Sequence, residues 1–137
     1  QIVGLRFVNL DLPRDARVTR AQIRFTSKGE FKGGPTMLII LAMAAENVPA
    51  FTPMAADLAR RTMIQSQVTW QPQPWPRAGI EFKTPDLSRL VQETVSGTSW
   101  QSGNAIGFMI AGTGKRSAYS FEGDPARAAV LEIEYVQ

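Results

Sequence analysis

The sequence predicts an all-β protein, a jelly-roll-like antiparallel β-sandwich with one short helix at about residues 85–96. Three observations predict this class: short segments in which apolar and polar residues alternate, turn residues between those segments, and one segment with helical spacing. The chain has 137 residues, the size of one domain. We therefore expect a single module over residues 1–137, either mature or a segment of a longer secreted protein.

Period-two alternation predicts the strands of the first half. Ala21, Ile23 and Phe25 alternate with polar residues, the pattern of a strand with one face on a core. A similar alternation around Leu5 predicts an opening strand. The proline and aspartate of residues 12–16 predict the turn that separates the two strands.

Residues 36–45 are apolar nearly throughout and follow the turn residues 33–35. We predict a strand buried on both faces, with a buried helix as the alternative because Met, Leu and Ala favour helices. The nine apolar residues 37–45 are too few for a membrane span. The connection that follows, residues 46–66, is irregular and contains a predicted helical turn around residues 54–60.

Residues 67–70 favour a strand, and we expect Trp70 to lie in the core. Three prolines within residues 71–76 exclude regular strand pairing there. Trp75 lies between two of these prolines, so we treat it as a candidate exposed ring.

Residues 84–97 carry the signals of a helix. Thr84 is the predicted N-cap, Pro85 the first helical residue and Asp86 a favourable charge in the first turn. Gly97 is the predicted left-handed stop, and Trp100 is expected to cover the end of the helix. The apolar residues at helical spacing are Leu87, Leu90, Val91 and Val95.

The last third returns to strands. Residues 105–111 predict one strand, residues 112–115 a hairpin-like turn, and residues 117–122 a second strand. Residues 131–135 alternate again and predict a closing strand with one buried face.

The chain contains no Cys and no His, which excludes thiol nucleophiles, imidazole bases and His or Cys metal sites. Carboxylates are the remaining acid–base candidates. Glu132 and Glu134 share one side of the closing strand, where we expect them to pair with Arg20 and Arg24 of a neighbouring strand. Catalysis by this pair, or by the pair within residues 122–124, is the alternative.

Two loops contain side chains whose oxygen atoms are candidate ligands for a structural calcium ion. One group is Glu46, Asn47 and Asp57, and the other is Glu122 and Asp124. Neither group has the spacing of an established calcium loop, so the metal site is unknown and no other cofactor is expected.

Sugar-binding modules use exposed aromatic rings together with polar or charged side chains. Fifteen Lys and Arg against twelve Asp and Glu give a net charge of +3, which permits an acidic glycan. The basic residues are scattered, so we expect no nucleic-acid partner. Solvated surface charge is the alternative for each basic residue. The candidate ligand-binding residues are Trp75, Tyr119, Arg116, Lys83 and Arg77.

The order of these motifs resembles the DNRLRE-type modules of secreted bacterial and archaeal proteins. The matching segments are GLRF at 4–7, LPRDARVTRA at 12–21, VTW at 68–70, DLSRLVQE at 86–93, GN at 103–104, SFE at 120–122 and LEIEY at 131–135. The resemblance implies a noncatalytic jelly-roll-like module of secreted polysaccharide-active enzymes and surface proteins. Some members resemble alginate-binding modules, and no catalytic residue is implied.

The expected function is therefore a noncatalytic, extracellular, cell-surface module that binds a polysaccharide or other glycan. The alternative is a structural or adhesive domain that contacts protein neighbours in a cell-surface assembly. A carboxylate-dependent lyase or glycosidase is a third hypothesis. An open apolar sheet face or an unpaired edge strand would favour the assembly hypothesis over the glycan hypothesis.

Overall fold

The computed structural model describes residues 2–30, 36–52, 57–113 and 128–137. Within them lie seven strands and two helices. The strands are β1 (Ile2–Phe7), β2 (Arg17–Thr26), β3 (Met37–Met43), β4 (Met63–Trp70), β5 (Glu81–Lys83), β6 (Ile106–Thr113) and β7 (Val130–Val136). The helices are α1 (Asp57–Arg60) and α2 (Ser88–Val95). No helix among the described residues is long and apolar enough to cross a membrane.

The strands form two antiparallel sheets. One has four strands in the order β1-β6-β3-β4, and the other has three in the order β5-β2-β7. Strands that are distant in sequence are neighbours in both sheets, as in jelly-roll folds. The structure confirms the predicted all-β sandwich with one short helix, and α1 adds a single turn within the segment predicted to hold one.

The core lies between the two sheets. Ile23 of β2, Ile40 of β3 and Phe108 of β6 are all fully buried there. Phe25 of β2 stacks on Trp70 of β4 with ring centroids 5.8 Å apart, which joins one sheet to the other. The prediction that Trp70 belongs to the core is confirmed. The buried-helix alternative for residues 36–45 is wrong, because β3 pairs with both β4 and β6.

Trp100 closes the core beyond the end of α2, as expected. Its side chain is fully buried, and its indole Nε1–H donates a hydrogen bond of 2.9 Å to the carbonyl oxygen of Leu12. The backbone N–H of Trp100 donates to the carbonyl of Gly97. One residue therefore ties the segment after α2 to the turn between β1 and β2.

Helix α2 begins at Ser88, later than the predicted start at residue 85. Leu87 occupies the N-cap position, with no capping hydrogen bond from its own side chain. Instead, Asp86 accepts hydrogen bonds from the backbone N–H and the hydroxyl of Ser88, at 3.1 and 2.7 Å. The predicted roles of Thr84 as N-cap and Pro85 as first helical residue are wrong.

Gly97 ends α2 for a different reason from the predicted one. Among the described glycines, positive φ angles occur at Gly79, Gly103 and Gly112 and not at Gly97. A Cβ atom at Gly97 would collide with the carboxylate of Glu46. Gly97 therefore leaves room for the Glu46 side chain and does not adopt a left-handed backbone.

Residues 84–92 lie along β2 and satisfy its backbone beyond the point where β5 ends. β5 pairs only with residues 24–26 of β2. Further along, three side chains accept hydrogen bonds from β2 N–H groups: Thr84 from Ile23 (3.0 Å), Asp86 from Ala21 (2.9 Å) and Gln92 from Val18 (2.7 Å). These side chains replace a neighbouring strand, which explains why Thr84 is buried and does not cap the helix.

The hydrogen bonds of Asp86 make the stability of the fold depend on pH. Burial opposes the charge, but hydrogen bonds from Ser88 and from the N–H of Ala21 outweigh it and lower the pKa of Asp86. Because the folded pKa lies below the unfolded value of about 3.9, the carboxylate stabilises the fold above about pH 4. That contribution is lost as the pH falls through the folded pKa.

We expect Asp86→Asn to lower the free energy of unfolding by about 1 kcal/mol at pH 7, and by clearly less at pH 3. Urea denaturation followed by circular dichroism at both pH values measures the difference. Asp15→Asn is the control, because Asp15 is exposed and contacts the side chain of Gln137. An Asp86→Asn effect of the same size at both pH values would contradict the assignment.

The hairpin-like turn predicted at residues 112–115 is wrong in its first half. Gly112 and Thr113 belong to β6, where they pair with Leu38 and Met37 of β3. Residues 114–115, and the strand predicted at residues 117–122, lie outside the described residues.

Candidate functional site

Trp75 is buried, so the predicted exposure of its ring is wrong. Only 2% of the residue is accessible, and the ring stacks on Phe82 of β5 with centroids 5.1 Å apart. The prolines around Trp75 prevent regular strand pairing but do not prevent the side chain from packing. As folded, this ring cannot stack on a sugar.

The two basic candidates that the structure describes do not form a cluster with an exposed ring. Lys83 of β5 forms an ion pair of 3.3 Å with Glu132 of β7. Arg77 has an exposed side chain, and its backbone carbonyl accepts a hydrogen bond of 2.6 Å from the hydroxyl of Ser27. The remaining candidates, Arg116 and Tyr119, lie outside the described residues.

The outer face of the three-stranded sheet carries charges of both signs. Arg20 lies opposite Glu134 in the register of β2 and β7. Arg24 is hydrogen-bonded to Glu81 and lies 3.7 Å from Glu132. The predicted cross-strand pairing is confirmed, and exposed pairs of this kind contribute about 0–1 kcal/mol each. This face is therefore solvated and balanced in charge.

The carboxylates with shifted pKa values do not resemble general acids. A hydrogen bond from the N–H of Thr52, together with Arg61, lowers the pKa of Asp57. Hydrogen bonds also lower the pKa of Asp86. A general acid in a glycosidase needs a raised pKa. Among the described residues, the shifted carboxylates are thus structural acceptors. Glu122 and Asp124 lie outside the described residues.

The side chains considered for calcium are used in the fold. Glu46 accepts a hydrogen bond of 2.6 Å from the N–H of Ser99, and Asn47 accepts one of 2.9 Å from the N–H of Ala105. Asp57 forms an ion pair of 3.3 Å with Arg61. No group of three or more acidic residues that could hold a metal ion occurs in the part of the chain that the structure describes.

An open groove of about 510 Å³ lies between the end of β3, the start of β4 and the C-terminal half of α2. Its two carboxylates, Glu46 and Glu93, already accept hydrogen bonds from the Ser99 N–H and the Ser66 hydroxyl. None of the described residues that line it is aromatic. The lining residues are Met43, Ala44, Ala45, Glu46, Asn47, Ile64, Glu93, Thr94 and Ser99. The groove thus lacks the ring and the basic residues expected for an acidic glycan.

The outer face of the four-stranded sheet carries a group of apolar residues at its centre. On β3, Ile40 and Ala42 point into the core, so Met37, Ile39 and Leu41 point outward. The same alternation turns Met109 and Ala111 of β6 and Ile2 of β1 outward. We call these six residues the outer apolar face: Ile2, Met37, Ile39, Leu41, Met109 and Ala111.

The register brings these residues side by side across the sheet. Ile2 lies opposite Ala111, which lies opposite Ile39, and Leu41 lies opposite Met109. Ile2 is 50% exposed, and Met37 is 42% exposed. Polar residues of β4, Gln67 and Thr69, border the face on one side.

This face was missed by the sequence prediction, which placed β3 as a strand buried on both sides. The side of β3 that carries Ile40 and Ala42 is buried, as predicted. The predicted burial of the opposite side is wrong, because Met37 is exposed and Ile39 and Leu41 are only partly buried. The uninterrupted apolar run of residues 37–45 showed that both sides of this strand carry hydrophobic residues. A sequence does not show, however, which side of such a strand is covered.

No protein-family model matches this chain, and the comparison with curated proteins found no match. The resemblance to DNRLRE-type modules therefore stays a prediction.

Proposed function

We propose that this chain is a noncatalytic module that contacts a protein partner through the outer apolar face of its four-stranded sheet. The observation that carries the proposal is the contrast between the two sheets. The outer face of β5-β2-β7 bears paired charges of both signs, whereas the four-stranded sheet turns the six residues of the outer apolar face and one described charge, Arg6, to its outer side. Contiguous exposed apolar surface on a sandwich typically marks an interaction site.

Physical chemistry explains why a partner would bind there. Burying apolar surface contributes roughly 25 cal/mol per Å². Four of the five methionines of the chain lie in this sheet, and Met37 and Met109 belong to the face itself. Methionine side chains are flexible and polarizable, so they adapt to partner surfaces of different shape. A protein surface fits such a face better than a sugar, which requires an aromatic ring and polar groups.

We propose further that the module has no catalytic activity and that it lies outside the cell. The noncatalytic role rests on the resemblance, and Asp57 and Asp86, whose pKa values are lowered, do not provide the general acid that a glycosidase needs. A secreted, cell-surface position rests on the resemblance to DNRLRE-type modules. The partner would then be a neighbour in a surface assembly.

Site-specific photo-crosslinking tests the proposal. A photo-reactive amino acid at Ile39 places the probe in the centre of the outer apolar face. The control position is Glu134, which is exposed on the outer face of the other sheet. In cells that make the protein, we expect a discrete crosslinked protein from position 39 and none of comparable yield from position 134. Equal yields from the two positions would contradict the proposal.

Glycan binding is the second candidate function. The exposed side chains of Arg77 and Lys83, both of which follow Trp75 in the sequence, favour it. Affinity electrophoresis in gels with acidic and neutral polysaccharides tests it. If these residues bind an acidic glycan, Arg77→Gln with Lys83→Gln removes the retardation. Arg14→Gln with Lys28→Gln, the control with the same charge change, leaves it intact. No retardation of the unmodified protein in any gel would rule out this candidate.

A further inference from the structure

Strand β1 lies at an edge of the four-stranded sheet, and none of the other described strands pairs with its outer side. Within the described residues it pairs with β6 alone, in an uninterrupted register from Ile2 to Phe7. It contains no proline and one charged residue, Arg6. Ile2 and Val3 are 50% and 43% exposed. A long, apolar edge strand offers its free backbone groups to a further strand.

The other three edge strands carry features that discourage pairing. β5 has three residues, two of which are charged. β7 carries Glu132 and Glu134, and its register with β2 is irregular. β4 exposes Gln67 and Thr69, and its register with β3 is also irregular. Charges, short length and bulges are the usual protections of sheet edges. β1 is therefore the edge best suited to strand addition.

We propose that β1 pairs antiparallel with β1 of a second copy of this chain, about a two-fold axis, so that two four-stranded sheets become one eight-stranded sheet. The inference rests on the proposed function, because it names a second copy as one protein that contacts this sheet. It also makes the two outer apolar faces continuous.

The faces of the strand limit the register of this pairing. Residues 2, 4 and 6 point to the outer side of the sheet and residues 3, 5 and 7 to the core side. Residues directly opposite each other must point to the same side. Two registers satisfy this condition over five residue pairs: one centred on Gly4 opposite Gly4 of the second copy, and one centred on Leu5.

Charge selects the register centred on Gly4. There, Arg6 lies opposite Ile2 of the second copy, and the two Arg6 positions are four residues apart, about 13 Å. In the register centred on Leu5 they are two residues apart, about 7 Å, which is less than the screening length of about 8 Å at physiological salt. The Arg6 Nε–H donates a hydrogen bond of 2.8 Å to the carbonyl oxygen of Val48, so the guanidinium group stays near β1. Repulsion between the two Arg6 side chains therefore disfavours the register centred on Leu5.

Disulfide trapping tests the register directly, because the chain has no cysteine of its own. In the proposed dimer the two Gly4 Cα atoms lie about 4.5–5.5 Å apart, within the range that a disulfide spans. Two Ile2 positions lie about 13 Å apart. Under mild oxidation we expect Gly4→Cys to form a covalent dimer at least tenfold faster than Ile2→Cys. Equal rates would overturn the proposed register.

Sedimentation equilibrium tests the pairing without a crosslink. The unmodified chain should shift from its monomer mass of 15.1 kDa towards twice that value as concentration rises. We expect Val3→Lys to raise the dimer dissociation constant at least tenfold. Val130→Lys should leave it within twofold, because Val130 has a similar exposure of 40% at the edge of the other sheet. Equal effects of the two substitutions, or a purely monomeric unmodified chain, would overturn the pairing.

The two proposals fail separately. If the chain is monomeric but a different protein still crosslinks to position 39, the strand pairing is wrong and the proposed function stands. If the chain dimerises through β1 and position 39 yields no crosslink to another protein, the pairing stands. The outer apolar face would then have no second partner.

Discussion

Trp100→Ala is expected to lower the free energy of unfolding by about 3–5 kcal/mol, the cost of truncating a buried aromatic residue to alanine. The side chain is fully buried against the core, and its indole Nε1–H donates a hydrogen bond of 2.9 Å to the carbonyl oxygen of Leu12. Its loss opens a cavity and leaves that buried carbonyl without its indole donor. Urea denaturation, followed by far-ultraviolet circular dichroism, measures the change.

Trp100→Phe separates the two parts of this effect. Phenylalanine retains much of the apolar volume and removes the indole N–H, so we expect a smaller loss of about 1–3 kcal/mol. A loss of under 1 kcal/mol for Trp100→Ala would show that this residue does not close the core.

Gly112→Ala is expected to cost about 2–5 kcal/mol, since it adds a steric collision to an unfavourable backbone conformation. Gly112 has a φ angle of 148°. A Cβ atom there would collide with the backbone carbonyl oxygen of Met37 on the neighbouring strand β3. Backbone in a paired strand cannot move aside as a flexible side chain can, so β3 and β6 must separate locally.

Gly29→Ala is the matched control for Gly112→Ala. A Cβ atom at Gly29 has no atom within 4 Å, and its φ angle is not positive. We expect the control to change stability by less than about 0.5 kcal/mol. Thermal unfolding followed by circular dichroism compares both variants with the unmodified chain. Equal melting temperatures for all three proteins would contradict the close approach of β6 to β3 at Gly112.

The fold could be predicted because one-sided strands show themselves in local alternation. Ala21, Ile23 and Phe25 are buried as their spacing indicates. The start of α2 could not be predicted in the same way. A threonine, a proline and an aspartate in this order are typical of a helix N-terminus. Here Thr84 and Asp86 instead bind β2, more than sixty residues earlier in the sequence. Such long-range acceptors leave no local signal.

The candidate site was predicted less well than the fold. Trp75 lies between prolines, and the sequence does not show that Phe82 comes to lie against its ring. Conversely, Ile39 and Leu41 resemble core residues in sequence, although they lie on the outer side of the sheet. Exposure of a hydrophobic side chain depends on which other elements cover it. That is a property of the assembled fold and not of any segment.

Methionine footprinting tests most directly whether the outer apolar face is an interaction surface. Met37 is 42% exposed on this face, whereas Met43 of the same strand is 2% exposed and serves as the internal reference. Mild peroxide treatment of the purified chain should oxidise Met37 much faster than Met43. In intact source cells we expect the ratio of the two rates to fall at least fivefold, because a bound protein covers Met37. An unchanged ratio in cells would contradict the account.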